Sequence, residues 1–539
     1  MRKLFAIATL ITGTLLMVSC GDDDNAAPVV DTDITISGIP SSATLVVGRT
    51  LSVPEITVTS PVGLKSFKAT IGSATIDLEP ADFSEGATSL TTAVTATTAD
   101  LGAVIGNNTI TFTATNTSDE TEVFIHTLVV EDLAFSVVDI SDLDTNSDGD
   151  ATAEVAKELS GRVNSDLTMD NDVTWVLAGR VIVDEGATLT IEAGTVIKAR
   201  TGSAGNASAL VVARGGVLNA AGTSTSPIVF TAISDQLTAA NIVAGDVASP
   251  NLAPTLDGLW GGLIVLGNAP ISVSSNLEET QIEGIPDNIL EGRYGGSVAD
   301  DNSGTIRYVS VRHGGTNIGE GNEINGITFG GVGSGTTVEW IEVVGNQDDG
   351  IEWFGGTVNV SNAVVWNAGD DAIDTDQAWS GTLDNAAVVA SADTDHAFEL
   401  DGPEGDATGS HTITNVTAKG FISVVSGTEE GGTELADLRS NLAVSFNNAF
   451  FFNFPDPNKP FKPGTEDESP RGDFSTGGCA DCTLANLQGV LPVGATLEQV
   501  FKGESTAAAT AVTTGTVGAT VTGFDNWSWT FEAGSLADF

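Results

Sequence analysis

Cysteine, tyrosine and basic residues are scarce in this chain. It has three cysteines and two tyrosines, and 20 lysines and arginines face 72 aspartates and glutamates, which gives a formal net charge of −52. A surface with this charge repels nucleic acid and anionic lipid headgroups and attracts divalent cations. The sequence therefore predicts that the protein has no nucleic-acid partner.

Proline is also sparse, with 17 residues, whereas glycine contributes 62. Disorder is common in acidic chains, but 41% apolar residues and alternating strand patterns argue against it here. A length of 539 residues exceeds one ordinary core, so two or more units are expected. Abundant Gly, Thr, Val and Ala predict a turn-rich, all-β protein.

The N-terminus carries an export signal. Arg2 and Lys3 precede an apolar run from Leu4 to Val18, so residues 1–19 are predicted to be a signal peptide. The alternative is a membrane helix with an incidental cysteine, but this run is short for spanning a bilayer. Ser19 and Cys20 complete a lipobox, and we expect acyl chains on Cys20 to anchor the protein to a membrane.

Residues 20–32 form an acidic leash after this anchor. Its sequence Gly21-Asp22-Asp23-Asp24-Asn25 resembles the acidic export tag of Bacteroidota-type surface lipoproteins. The resemblance implies an outer-membrane lipoprotein that is exposed at the cell surface.

The two remaining cysteines, Cys479 and Cys482, lie close together in the sequence Gly-Gly-Cys-Ala-Asp-Cys. In an oxidising compartment this spacing favours a structural disulfide. A zinc site would need two further ligands, and no Cys or His lies nearby in sequence. A redox Cys-x-x-Cys would be expected beside a βαβ pattern, which the sequence lacks.

Two patterns divide the rest of the chain. Residues 33–133 show short alternating strands that predict an immunoglobulin-like β-sandwich, which we interpret as a spacer. Residues 134–174 look like a junction, and residues 175–420 show short strands joined by tight turns. Residues 421–539 are expected to form C-terminal coils and a cap.

A repeat series predicts the architecture of residues 175–420. Its tetrads end at positions separated by 32, 22, 23 and 30 residues, namely at Val309, Ile341, Ala363, Ala386 and Val416. Steps of 22 to 23 residues suit one coil of a parallel β-helix, and the longer steps imply inserted loops. A propeller blade would need about twice that length.

Several blocks of this region are similar to a family of uncharacterised Bacteroidota surface β-helix proteins. They are Gly186–Lys198, Gly222-Thr223, Pro227–Thr231, Trp260–Leu263, Glu323–Gly331 and Glu352–Thr357. The resemblance implies a right-handed parallel β-helix and little about function. The transporter label sometimes attached to this family does not fit a chain without a predicted membrane span.

Two acidic patterns are candidate metal sites. The first, in the junction, has the spacing of the first half of an EF-hand-type calcium loop, with Asp144, Asn146, Asp148 and Asp150 as the candidate ligands. That loop needs an acid at its twelfth position, which is Val155, so a solvated acidic linker is the alternative.

The second pattern appears when the coils are aligned at steps of 24, 22 and 25 residues on Gly326-Ile327 and its equivalents. Equivalent positions then form three columns. The first column is Asn325, Asp349, Asp371 and His396, the second is Asp348, Asp370 and Asp395, and the third is Thr328, Glu352, Asp374 and Glu399. Asp376 and Asp401 extend this face outward. Adjacent coils lie about 4.8 Å apart. Carboxylates at that distance repel by about 3 kcal/mol at an effective dielectric constant near 20.

Shared protons, solvent or bridging cations must relieve this repulsion. Oxygen ligands favour calcium over a transition metal. Solvated turn carboxylates and a catalytic cluster of Asp370, Asp371, His396 and Arg312 are the alternatives. Gly369-Asp370-Asp371 is similar to the paired aspartates of polygalacturonases, but His313 precedes them here and follows them in that family. A lyase would need a basic proton acceptor, for which Arg307, Arg312 and Lys419 are candidates.

Aromatic residues surround this region, namely Trp340, Trp353, Phe354, Trp366 and Trp379. They predict either sugar stacking or packing inside the coils. The leading hypothesis is a non-catalytic cell-surface protein that binds a glycan or another surface component through calcium. A calcium-dependent polysaccharide lyase or hydrolase is the first alternative, and an accessory subunit of an outer-membrane transporter or assembly complex, with a barrel protein as partner, is the second.

Overall fold

The structure is a computed structural model that describes residues 33–46, 50–72, 74–80, 83–97, 103–104, 106–131, 135–141, 156–202, 207–286, 289–316, 324–425, 428–458 and 472–539. Cys20 and the predicted calcium loop at Asp144, Asn146, Asp148 and Asp150 lie outside these residues. The chain divides into two compact units, Met1–Leu133 and Ala134–Phe539. In the described ranges, no helix combines the length and apolar character needed to cross a bilayer.

The first unit is a sandwich of two sheets. Its described strands are β1 (Thr35–Ser37), β2 (Ser42–Val46), β3 (Thr50–Thr59), β4 (Leu64–Ile71), β5 (Ala74–Asp77), β6 (Ser89–Thr97), β7 (Gly106–Asn116) and β8 (Thr121–Glu131). One sheet has the order β1-β3-β6 and the other β2-β8-β7-β4-β5. Alternating residues such as Ile56, Phe67 and Phe112 fill a shared core. This arrangement is consistent with the predicted immunoglobulin-like sandwich.

The second unit begins with short strands in its first coils. They are β9 (Ser136–Ile140), β10 (Ala156–Val163), β11 (Leu167–Met169), β12 (Thr174–Val183), β13 (Thr188–Ile191), β14 (Val196–Ala199), β15 (Ala209–Val212), β16 (Val217–Ala221), β17 (Ile228–Ala232), β18 (Leu263–Leu266), β19 (Thr280–Gln281) and β20 (Arg293–Tyr294). A helix, α1 (Ala239–Ala244), lies in the loop after β17, and a 3-10 turn occupies Leu290–Gly292.

Long and short strands alternate in the later coils. They are β21 (Gly304–Gly314), β22 (Ile327–Gly330), β23 (Thr337–Asn346), β24 (Ile351–Phe354), β25 (Asn359–Ala368), β26 (Ile373–Asp376), β27 (Thr382–Val389), β28 (Glu399–Leu400), β29 (His411–Lys419), β30 (Ile422–Val425), β31 (Thr428–Gly432), β32 (Ala436–Leu438), β33 (Leu442–Phe452), β34 (Phe474–Ser475), β35 (Cys479–Gly489) and β36 (Ala509–Ala511). The short helices α2 (Leu497–Val500), α3 (Ser505–Ala508) and α4 (Trp529–Glu532) lie near the C-terminus.

The parallel strands wind into a right-handed parallel β-helix, as predicted, and they form three sheets, while β19–β20 and β30–β31 are separate antiparallel pairs. Sheet 1 contains β15, β18, β22, β24, β26, β28, β32 and β34, each in parallel register with the next. The long strands from β21 onward contribute their first halves to sheet 2 and their second halves to sheet 3. The coils extend from β10 to β36, and therefore begin before residue 175 and continue beyond residue 420.

A sharp bend separates the two halves of each long strand. Trp340, Asn362, Asn385 and Asn415 occupy it with φ between 56° and 63°. Asparagine tolerates this left-handed conformation better than most residues. The amide of Asn385 also donates to Asn362 Oδ1 at 2.7 Å, so the bends of successive coils are hydrogen-bonded. This bend explains the repeat series in the sequence, whose members are in register.

The first coil is extended by β9, which pairs antiparallel with β10. Pairing or covering a sheet edge protects it from association with another chain. In the last coils, a disulfide joins Cys479 and Cys482 within β35, as the spacing predicts, and the buried residues Val500 and Phe501 pack against the coil interior.

Candidate functional site

One column of sheet 1 changes from apolar to acidic along the stack. The apolar residues Val211 and Ile264 occupy this column in the first coils. The equivalent positions on the following strands are Thr328, Glu352, Asp374, Glu399 and Asp437, which we call the strand ladder. The inserted loop 267–303 covers the apolar part with Ile271, Val273 and Ile282. The register confirms the predicted alignment and adds Asp437.

A second column, the turn ladder, lies just before these strands. Its members are Asn325, Asp349, Asp371, His396, Glu434 and Asp473, and successive turns are joined by backbone hydrogen bonds. The first four were predicted from the sequence. The last two were missed because long loops interrupt the coil spacing before each of them.

The third predicted column lies closer to solvent. The backbone N–H of Asp395 donates to the Asp370 carbonyl at 2.8 Å, and that of Asp370 to the Asp348 carbonyl at 3.4 Å. Asp370 is exposed, whereas Asp348 and Asp395 are half-buried. Together the three columns form the acidic face.

The columns bring carboxylates together in small groups. Asp349, Glu352 and Asp374 form what we call the inner group, because ligand atoms of all three lie within 4.8 Å of one another and all three residues are buried. Asp349 also belongs to a more exposed group with Asp348 and Asp370. The sequence alignment therefore identified residues that do converge.

Few hydrogen-bond donors reach the inner group. Asp349 Oδ1 accepts the backbone N–H of Asp371 at 2.8 Å, and the Asn325 amide donates to Glu352. Asp374 Oδ1 and Asn325 Oδ1 are buried and accept no hydrogen bond from the part of the chain that the structure describes. A buried oxygen without a donor is costly, and a cation would satisfy it.

Burial and mutual repulsion shift the ionisation of these acids. Burial raises the pKa of Asp349, Glu352 and Asp374 well above the usual range, and neighbouring carboxylates raise it further. The same causes raise the pKa of Asp376 to about 7 and that of Glu399 to about 8. Without a cation, several of these groups therefore retain protons near neutral pH.

His396 and Arg439 bring positive charge to the acidic face. Burial lowers the pKa of His396, but hydrogen bonds to Asp371 and Glu434 outweigh burial and raise it to about 11. The Arg439 guanidinium contacts Glu399 and Asp401, each at 2.5 Å. Arg439 could not be predicted from the coil spacing, because the inserted strands β30 and β31 precede it.

A sequence model of the family described as "Pectate-lyase like beta helix domain" matches residues 161–530. The chain belongs to this family. Among solved structures, the family 28 exopolygalacturonase of Yersinia enterocolitica is similar at 12% identity, with 85% of this chain and 88% of that chain covered and a TM-score of 0.21. A search of curated proteins found no match.

One predicted residue of this pectate-lyase-like chain is absent from the site. Arg312 lies on sheet 3, in register with Val344, and is fully buried. Its guanidinium donates to the Val247 carbonyl at 2.6 Å and lies over Trp529. The predicted catalytic role of Arg312 at the acidic face is therefore wrong.

The other two candidate bases are also held elsewhere. Arg307 lies 3.6 Å from Glu339 on sheet 2, and Lys419 lies 3.0 Å from Asp538. Their carboxylate partners, Glu339 and Asp538, are not members of the acidic face.

The aromatic residues do not form a sugar platform on this face. Trp353 and Trp379 stack inside the coils, with ring centroids 4.8 Å apart. Trp340 and Trp366 pack against Trp527 and Trp529 of the C-terminal segment. The interior-packing alternative is therefore correct for Trp353 and Trp379, whereas Trp340 and Trp366 lie outside the coils and are half-buried under the C-terminal segment.

The raised pKa values predict that the metal-free protein loses stability as pH rises. The folded state holds protons that the unfolded state releases above about pH 4, so the free energy of unfolding falls until the folded pKa values of about 7 and 8 are passed. His396 acts in the same direction, because its pKa rises from the ordinary 6.5 to about 11 on folding. With chelator present, the melting temperature should fall between about pH 5 and about pH 8.

The variant Asp376→Asn with Glu399→Gln provides the control, because it removes two of the titrating groups and should flatten this decline. A melting temperature that rises over the same range in the unaltered protein would contradict the pKa directions.

Proposed function

We propose that this chain is a lipid-anchored protein of the Bacteroidota cell surface whose acidic face binds calcium. Through this calcium it binds a glycan or another surface component without cleaving it. The observation that supports this most directly is the inner group, where three buried carboxylates converge and one of their oxygens has no donor within the described ranges. The acyl anchor on Cys20 and the outer-membrane location remain predictions from the sequence.

Calcium suits the inner group better than other metals do. Asp349, Glu352 and Asp374 provide only oxygen ligands, and the Asn325 amide contacts Glu352. Calcium accepts six to eight such oxygens in flexible geometry, whereas zinc favours nitrogen and sulfur. Both described cysteines are joined in the disulfide of β35, so they provide no thiolate.

The cations of the acidic face support binding over cleavage by a lyase mechanism. Such a mechanism needs a base that accepts a proton from the sugar. His396 and Arg439 are each held in ion pairs with two carboxylates, which keeps them protonated. Neither is therefore suited to accept a proton.

One observation favours hydrolysis as a second candidate function. Glu399, with its pKa raised to about 8, is protonated near neutral pH and lies in the same group as Asp371. A protonated carboxyl beside a carboxylate is the pair that glycoside hydrolases use. In that case Glu399 would be the general acid.

Calcium should raise the melting temperature of the protein. At a free calcium concentration of 100 times the Kd, one site adds about 2.7 kcal/mol to the free energy of unfolding. The variant Asp349→Asn with Asp374→Asn should lose this shift and, in chelator, melt at a higher temperature than the unaltered protein because the repulsion is relieved. Scanning calorimetry with calcium and with chelator measures both effects.

The matched control is Asp384→Asn with Asp481→Asn, which removes two carboxylates from sheet 2. This variant should keep the full calcium shift. Equal shifts in both double variants would place the calcium elsewhere, and no shift in the unaltered protein would contradict calcium binding.

Binding and cleavage are distinguished by a panel of acidic and neutral polysaccharides. We expect retention on an immobilised glycan in calcium, release by chelator, and no new reducing ends or ultraviolet-absorbing products. The variant Glu399→Gln separates the two candidates, since it removes the acid needed for hydrolysis and leaves the inner group intact. Products that depend on Glu399 would contradict the non-catalytic proposal and support the hydrolase.

A further inference from the structure

A group of similar acids lies next to the inner group, but here side-chain cations reduce the repulsion between the carboxylates. We call it the histidine level; it comprises Asp371, His396, Glu399 and Glu434. It continues the turn and strand ladders by one coil, so that Asp371 takes the position equivalent to Asp349 and Glu399 the position equivalent to Asp374. Stacking alone would therefore predict a second cation site here.

The imidazole of His396 occupies the centre of this level. Its Nδ1 lies 2.8 Å from Asp371 Oδ1 and 3.5 Å from Glu399 Oε1, and its Nε2 lies 3.2 Å from Glu434 Oε2. Carboxylate oxygens only accept hydrogen bonds, so a ring with carboxylates at both nitrogens donates from both. The side chain therefore carries a positive charge among three acids.

Arg439 completes the neutralisation at the outer side of the same level. Its Nη2 lies 2.5 Å from Glu399 Oε2 and 2.5 Å from Asp401 Oδ2, while its Nε donates to Asp401 at 3.0 Å. Both oxygens of Glu399 thus face a side-chain cation, one from His396 and one from Arg439.

Comparable donors do not reach the inner group from the described residues. The Asn325 amide that donates to Glu352 is neutral, and Asp374 Oδ1 accepts no hydrogen bond among the same residues. The two neighbouring groups of acids therefore differ in their cation contacts, because His396 and Arg439 form ion pairs with the histidine level and no described side-chain cation forms one with Asp349, Glu352 or Asp374.

We infer that His396 and Arg439 are built-in counter-ions that confine calcium to the inner group and limit the number of ions on the acidic face. This inference rests on the proposed function, because it assumes that the inner group binds calcium. His396 is then a specificity-determining residue, and its replacement by an oxygen ligand should convert the histidine level into an additional calcium site.

The test is the number of calcium ions bound per full-length chain, measured by equilibrium dialysis. His396→Asp, which extends the run of acids in the turn ladder, should bind one ion more than the unaltered protein. His396→Gln removes the charge without adding an acid and should also gain an ion, more weakly. His396→Lys keeps a positive charge and should gain none.

Unaltered calcium binding in folded His396→Asp and His396→Gln would overturn the inference. A cooperative melting transition establishes folding, and His396→Gln, which is closest in size, keeps the test valid if the aspartate variant does not fold. A zinc titration of the unaltered protein is a second test, and it asks whether His396 is a metal ligand. Tight zinc binding that His396→Gln abolishes would show that His396 is a metal ligand, which also overturns the inference.

The outcomes separate this inference from the proposed function. Calcium bound by the unaltered protein without a gain in the His396 variants would leave the proposed function standing and remove the counter-ion role. A gain in His396→Asp when the unaltered protein binds no calcium would support the counter-ion role and contradict the proposed function.

Discussion

The spacing between coils governs both the stability of this protein and its chemistry. A parallel β-helix repeats each side chain about 4.8 Å above its equivalent in the previous coil. Inside the coils this repetition is favourable, because Trp353 stacks on Trp379. On the acidic face it is unfavourable, since carboxylates at that distance repel by about 3 kcal/mol at an effective dielectric constant near 20.

The chain relieves this repulsion in different ways at different levels. Asp376 has a raised pKa, so a proton reduces its charge near neutral pH. At the histidine level the chain supplies His396 and Arg439 as cations. Among the described residues, the inner group has neither an ion pair with a side-chain cation nor a donor for Asp374 Oδ1, which is why we assign the exogenous ion to it.

The features that repeat with the coil could be predicted from the sequence, and those that depend on bends or insertions could not. The ladder from Asp349 to His396 was found because its coils are of nearly equal length. Glu434 and Asp473 were missed because inserted loops break this period. The prediction for Arg312 was wrong because β21 bends at Tyr308. Arg307 therefore lies in sheet 2 and Arg312 in sheet 3. Predictions for Cys20 and for residues 144–150 concern parts outside the described residues.

The position of the bound ion tests the account most directly. A crystal grown in calcium, with anomalous diffraction recorded at a long wavelength, should show a peak among the carboxylates of Asp349, Glu352 and Asp374, and none at the ring of His396. A peak at the histidine level, or a well-ordered acidic face without any peak, would contradict the account.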